Sequence, residues 1–208
     1  MRKKILFVFG VMSLITIIGI VSCAKCGDNT VYKVVDLYVY TTGVQYNPQD
    51  PVKLYYWNIY SDTIYYSFFG IYIEPEIEAY ASVSERLRSF GFVKSAYACD
   101  PIPSTTEDRI TNIKITANRD YDDSHPKGSN LADYFDVIYS YHHTNTIDQK
   151  QDLLKYIAKK PIVPDYMVLI LNKKPKYDNQ FKFVFSYYQN GVSMDSVIVN
   201  FDSVTLTQ

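Results

Sequence analysis

Four oxygen-donating side chains, Asn118, Asp120, Asp122 and Asp123, fall within six residues. Calcium takes six to eight oxygen ligands, so Asp120, Asp122 and Asp123 are the calcium candidates. The spacing is not that of an EF-hand loop, which needs a glycine at its sixth place and a glutamate at its twelfth. The competing reading is a solvated loop whose Asp side chains close their own turns, and it is the one adopted, with no metal. The histidines are His125, His142 and His143. Neighbours on a strand point to opposite faces, so His142 and His143 do not converge on one zinc ion, and no H-E-x-x-H is present. The chain has no G-x-S-x-G nucleophile elbow. Its eight glycines are scattered, without the spacing that cradles a phosphate. Two carboxylates can still be brought together by a fold, which no spacing reveals. No catalytic residue is therefore assigned and no cofactor is implied.

The chain has 21 tyrosines, 11 phenylalanines and one tryptophan. Tyrosine offers a flat apolar face and a hydroxyl at low entropic cost, which suits sugar stacking and protein interfaces. Tyr55, Tyr56, Trp57, Tyr60, Tyr65 and Tyr66 crowd one stretch, and Tyr56, Tyr60 and Tyr66 are the candidate ligand-binding residues. The alternative is structural: tyrosine is a good strand residue, and half of these would fill the core. Lys173, Lys174 and Lys176 read as a solvated turn rather than a polyanion site.

Arg2, Lys3 and Lys4 precede Ile5 to Ser22, eighteen residues without a charge. The run ends Ile20-Val21-Ser22-Cys23, with a branched aliphatic three places before a cysteine and a small residue just before it. This resembles the lipobox of bacterial lipoproteins. The resemblance implies cleavage after Ser22 and lipidation of the Cys23 thiol. The expected organisation is a signal peptide over 1–22, a lipidated tether over 23–30 and a single domain over 31–208. The mature chain would have 186 residues and a balance of −4. Acyl chains contribute roughly 0.8 kcal/mol per buried CH₂, so several together hold a domain on a membrane. The alternative is a single-pass anchor, since about 20 apolar residues span a bilayer. Cys26 and Cys99 remain. In an exported, oxidising setting they can close a disulfide, worth roughly 4 kcal/mol for a loop of about 70 residues.

These features sit in a chain of 208 residues, 47% hydrophobic, with a formal charge of −1. Whole-chain disorder is excluded, and the charge balance argues against a nucleic-acid partner.

The elements that must position the aromatics are strands, because the main pattern is period-2 alternation of β-branched and aromatic residues. Val31–Thr42 reads as a strand. Leu54–Tyr60 and Thr63–Phe69 read as a hairpin about Ser61-Asp62. Ile71–Tyr80 is interrupted by Pro75, which lacks a donor and predicts an edge strand or a bulge. Ile110–Thr116 alternates less cleanly. Tyr166–Leu171 is a continuous apolar run, as in a strand buried on both faces. In the C-terminal hairpin Phe181, Phe183, Phe185 and Tyr187 share a face, as do Val197, Val199 and Phe201. A two-residue turn at Asn190-Gly191 would split those sets, so a one-residue extension or bulge pairing Phe183 with Val199 is predicted. Thr146 with Gln149 forms a capping-box pattern before a helix carrying Leu153, Leu154 and Ile157 and ending at Lys159-Lys160-Pro161. A second short helix is expected from Ser82 to Gly91, and a single turn after Asn130. The fold class is mainly β, a β-sandwich of immunoglobulin-like or Greek-key type, with one or two short connecting helices.

Ser95-Ala96-Tyr97-Ala98-Cys99, and Pro103 to Ile115 with its Ser-Thr-Thr-Glu-Asp-Arg-Ile core, resemble small Bacteroidetes lipoproteins grouped as a domain of unknown function. The resemblance implies a β-rich protein anchored by lipid to the bacterial outer membrane, facing the periplasm or the cell surface, and it implies no activity. The functional expectation is a non-catalytic binding module for a glycan, a peptide or an envelope protein. The first alternative is a structural or assembly subunit acting through an exposed strand edge. The last is an envelope hydrolase.

Overall fold

The computed structural model describes residues 30–50, 53–60, 62–82, 105–141, 150–190 and 196–207. The leader, Cys23, Cys26, Cys99, His142, His143 and the helix expected after Ser82 lie outside the described residues. Contacts divide the chain into two units, 1–31 with 79–105 and 32–78 with 106–208. Both apolar clusters belong to the second unit.

The described residues are mainly β, with one short α-helix. In chain order the strands are β1 (Thr30–Tyr46), β2 (Leu54–Trp57), β3 (Thr63–Tyr65), β4 (Phe69–Ser82), β5 (Thr105–Thr106), β6 (Arg109–Ala117) and β7 (Phe135–Ser140). β8 (Gln151–Asp152), helix α1 (Leu153–Ala158), β9 (Tyr166–Leu171), β10 (Asn179–Phe181), β11 (Phe183–Asn190), β12 (Ser196–Asn200) and β13 (Val204–Thr207) follow. The largest sheet, ordered β2-β1-β4-β9-β7-β8 with β5 beside β1, curls into a half-barrel. Two three-stranded sheets are ordered β10-β13-β3 and β12-β11-β6.

β9 is buried on both faces, as its apolar run predicts. Met167, Leu169 and Leu171 enter the main core with Phe69, Ile71 and Ile73 of β4 and Phe183, Phe185 and Tyr187 of β11. Val168 and Ile170 enter a second cluster with Val44, Leu54, Tyr72 and Ile138. Strand periodicity sends alternate residues of one backbone to the two clusters.

β6 explains its own uneven alternation. Its pairing with β11 shifts by one residue between Tyr188 and Gln189, so Tyr188 faces Asn112 while Gln189 faces Ile110. The extra residue, Thr111, makes a bulge that returns Ile110 to the face of Ile113 and Ile115, and all three are buried. β11 and β12 pair Phe185 with Val199 and Tyr187 with Val197. The apolar sets share a face as predicted. The register is two residues from the predicted one, since Phe183 meets Phe201, whose N–H donates to its carbonyl at 3.0 Å. Gly191 lies outside the described residues.

Three expectations are corrected. The hairpin is β1–β2, closed where Asn47 N–H donates to the Lys53 carbonyl at 2.7 Å. Thr63–Phe69 is not a return strand: β3 pairs in parallel with β13, Thr63 against Thr205. β4 is internal to its sheet rather than an edge, but its ladder with β9 runs only from Gly70 to Ile73 and stops short of Pro75. Helix α1 begins only at Leu153 and is capped by Asp152, whose carboxylate accepts from Lys155 N–H at 2.8 Å; the expected capping box, Thr146 with Gln149, lies outside the described residues. It buries Leu153, Tyr156 and Ile157 and leaves Leu154 exposed, because i, i+3 and i+4 share a helix face. The single turn expected after Asn130 is present as Ala132–Tyr134, with Leu131 rather than Asn130 at its N-cap, although the Asn130 side chain accepts from Ala132 N–H at 3.2 Å.

Gly43 and Gly70 are sites of close approach. A Cβ on Gly70 would lie 2.8 Å from Val44 Cγ1 and 3.0 Å from the Leu169 carbonyl oxygen, within packed strands. A Cβ on Gly43 would overlap the ring of Trp57, which is 41% exposed and held by an edge contact with Phe68 rather than by packed backbone. Gly70→Ala is therefore expected to lose about 1–3 kcal/mol in urea denaturation. Gly43→Ala is expected to lose less, with a shift in Trp57 fluorescence.

Candidate functional site

The second face of the half-barrel sheet carries a ledge of tyrosines. Tyr40 on β1, Tyr72 on β4 and Tyr166 on β9 come into line on the side of the second apolar cluster, where Tyr72 sits among Val44, Val168 and Ile170. Tyr40 and Tyr72 stack with centroids 4.9 Å apart, and Tyr72 and Tyr166 with centroids 5.9 Å apart and planes 11° from parallel. Tyr56, set opposite Val44 on β2, tilts against Tyr72 at 5.6 Å. Tyr72 is the buried centre, while Tyr40 and Tyr56 are 41% and 55% exposed. The ledge presents ring surface to solvent on a base that is itself packed.

Carboxylates line one side of it. The Tyr72 hydroxyl donates to Glu74 Oε2 at 3.4 Å, and the Tyr38 hydroxyl to Glu76 Oε2 at 3.3 Å. Burial first, and then the Glu74 charge, push the Tyr72 phenol up. The Glu76 charge does the same at Tyr38. Burial, then Tyr56 and Glu74, raise Tyr40, and burial raises Tyr166 against the opposing hydrogen bond with Ser140. These hydroxyls stay protonated at neutral pH and can donate.

Beyond Ile73, where the ladder with β9 stops, a cleft of about 280 Å³ opens. Pro75, Ile77, Val163 and Pro164 form its apolar walls; Glu74, Thr106, Asp165 and Tyr166 supply its polar groups. Glu74 and Tyr166 belong to both ledge and cleft. Pro75 has no N–H with which to continue the ladder, and the cleft lies next to the stacked rings.

Of the candidates named from the sequence, only Tyr56 belongs to this site. Tyr60 is 91% exposed, away from any ring contact among the described residues. Tyr66 packs against the main core. Tyr40, Tyr72 and Tyr166 were missed. The available signal was a tyrosine at an even position of each apolar strand, and it needed the order of the strands to become visible.

The acidic loop is a self-closing structure. Asp120 Oδ1 accepts from Lys127 N–H at 2.7 Å, and Asp123 pairs with Lys176 Nζ at 2.6 Å. Asp122 Oδ1 accepts from Ser124 and His125 N–H at 2.8 Å each, and its Oδ2 from the Tyr134 hydroxyl at 2.6 Å. The calcium candidates thus face different partners: Asp120 meets Lys127, Asp123 meets Lys176, and Asp122 meets Ser124, His125 and Tyr134. Among the described residues no three His, Cys, Asp or Glu gather as a metal site. His125 lies between two carboxylates, Nδ1 3.3 Å from Asp122 and Nε2 3.2 Å from Asp133, with its ring 4.2 Å from that of Tyr134. No helix among the described residues is long and apolar enough to cross a membrane. No family model, curated protein or solved structure matches the chain.

Burial works to raise Asp122, but the hydrogen bonds from Tyr134, Ser124 and His125 outweigh it and hold the carboxyl below its usual range. The same bond pushes the Tyr134 phenol up to about 12. A lowered folded pKa stabilises the fold above the unfolded value, about 3.9, and that contribution is lost as pH falls through the lower folded value. The gap between urea midpoints at pH 6 and pH 3 is therefore expected to narrow in Asp122→Asn. An unchanged gap shows that the cluster carries no linkage.

Proposed function

We propose that this chain is a lipid-anchored protein of the bacterial envelope that works by binding a glycan at the tyrosine ledge. One observation carries the ligand class: Tyr40, Tyr56, Tyr72 and Tyr166 form a stacked, partly exposed surface continuous with a cleft that offers carboxylates and hydroxyls. Sugar rings present C–H faces to aromatics and hydroxyls to carboxylates, so this arrangement suits them. The carboxylates at Glu74 and Glu76 favour neutral sugars or amino sugars over acidic ones. The anchor rests on the lipobox-like Ile20-Val21-Ser22-Cys23 and the resemblance to small Bacteroidetes lipoproteins. The domain is read as a sandwich, immunoglobulin-like or Greek-key, on the support that one core draws side chains from all three sheets.

A second reading, an envelope hydrolase, is favoured by Glu74 and Asp165 lining the same cleft. It requires turnover that Glu74→Gln abolishes.

Two measurements test the proposal. In calorimetry against neutral oligosaccharides selected on a glycan array, Tyr40→Ala and Tyr56→Ala are each expected to bind roughly two- to tenfold more weakly, as loss of one stacking contact implies. Tyr60→Ala should bind as the wild type does. Binding that ignores the ledge substitutions sinks the site, and turnover in a hydrolase screen favours the second reading. In intact-mass analysis of the protein from its native membrane, a chain starting at Cys23 with acyl mass is expected, and its loss in Cys23→Ala. A mass starting at Met1 overturns the anchor.

A further inference from the structure

We propose that β12 is a docking edge whose partner is a second copy of this chain, paired antiparallel about Ile198. This goes beyond the glycan reading and does not depend on it.

The backbone geometry sets the direction. Phe201 N–H donates to the Phe183 carbonyl, and from there the β11–β12 ladder steps through Val184–Asn200, Phe185–Val199, Ser186–Ile198 and Tyr187–Val197. Inward- and outward-pointing pairs alternate along an antiparallel strand. The N–H and C=O groups of Val197 and Val199 therefore point to β11, and those of Ser196, Ile198 and Asn200 point away from it. Among the described residues no strand takes up that outer side, and none of the five residues forms a hydrogen bond beyond the ladder.

Exposed edges are normally blunted with charge, proline, a bulge or a covering loop. Ser196-Val197-Ile198-Val199-Asn200 has no charge and no proline, and its ladder with β11 is unbroken. Ile198 is 61% exposed. The opposite edge of the same sheet is covered. Along β6, Gly128 N–H donates to the Ala117 carbonyl at 3.0 Å, Leu131 N–H to Ile115 at 2.8 Å, and Ile110 N–H to Pro161 at 2.9 Å. The Asn130 side chain accepts from Ile115 N–H at 3.1 Å.

The strand complements itself. A two-fold axis at Ile198 sets Val197 against Val199 of the copy, Ser196 against Asn200, and Ile198 against Ile198. Each outward residue then exchanges N–H and C=O with its counterpart, which makes about six hydrogen bonds. The valines would extend the core side of the sheet, and the two isoleucines would cover each other. Copies that repel through their net negative charge can meet along an uncharged strand. An interface of five residues a side is below the size of permanent ones, so association should depend on concentration.

The test is sedimentation equilibrium of the full chain in detergent with reductant, so that no bridge through Cys26 or Cys99 joins chains. The protein mass is expected to rise from that of one chain towards twice that value as concentration increases. Ile198→Lys places two ammonium groups opposite each other, and Ile198→Pro removes an outward N–H without touching the ladder to β11. Each should raise the dissociation constant at least tenfold while leaving the far-ultraviolet circular dichroism unchanged. A single-chain mass at every concentration overturns the proposal, as does a dimer that both variants leave intact.

Discussion

The structure depends on one backbone, β9, being buried from both sides. Met167, Leu169 and Leu171 face one apolar cluster, and Val168 and Ile170 the other. A sheet surrounded in this way has little freedom of register, because a slip of one residue exchanges the two faces of every strand it touches. The antiparallel ladders on either side, Gly70–Ile73 of β4 and Phe135–Ser140 of β7, hold β9 in place. The first cluster joins the half-barrel to the two smaller sheets. The second forms the floor beneath the tyrosine ledge.

Tyrosine serves both clusters, in different ways. Tyr121 and Tyr187 lie in the main core and still satisfy their hydroxyls, Tyr121 on the Lys173 carbonyl at 2.5 Å and Tyr187 on Gln189 Oε1 at 3.0 Å. Burial raises both phenols, so they remain neutral donors in an apolar setting. On the ledge the same side chain has its ring packed on one face and wet on the other. An abundance of tyrosine in the chain is therefore two populations, and only strand order separates them.

What could be read from the sequence was what depends on neighbours along the chain. The two-sided burial of β9 followed from an unbroken apolar run, and the shared apolar face of β11 and β12 from period-two spacing. Pro75 reads as an interruption, yet β4 runs through it from Phe69 to Ser82, and only its ladder with β9 stops, at Ile73. Pairings between distant segments could not be read. β3 joins β13 in parallel although some 140 residues separate Thr63 from Thr205. The bulge at Thr111 is visible only against β11. The crowded run from Tyr55 to Tyr66 drew attention to local density, whereas the ledge is assembled from residues on four strands. The Asp-rich loop resembled a metal site in composition, but its carboxylates are already engaged by backbone amides, Tyr134 and Lys176.

The loop that hydrogen-bonds along β6 has a consequence for how this protein can grow. Gly128, Asn130 and Leu131 occupy backbone groups that another strand would need. A sheet open on both sides can add strands without limit, which is the geometry of a fibre. With one side already sealed, whatever joins this sheet can join it only once. A pair formed through β12, as proposed, would therefore leave those backbone groups of β6 already engaged and close on itself.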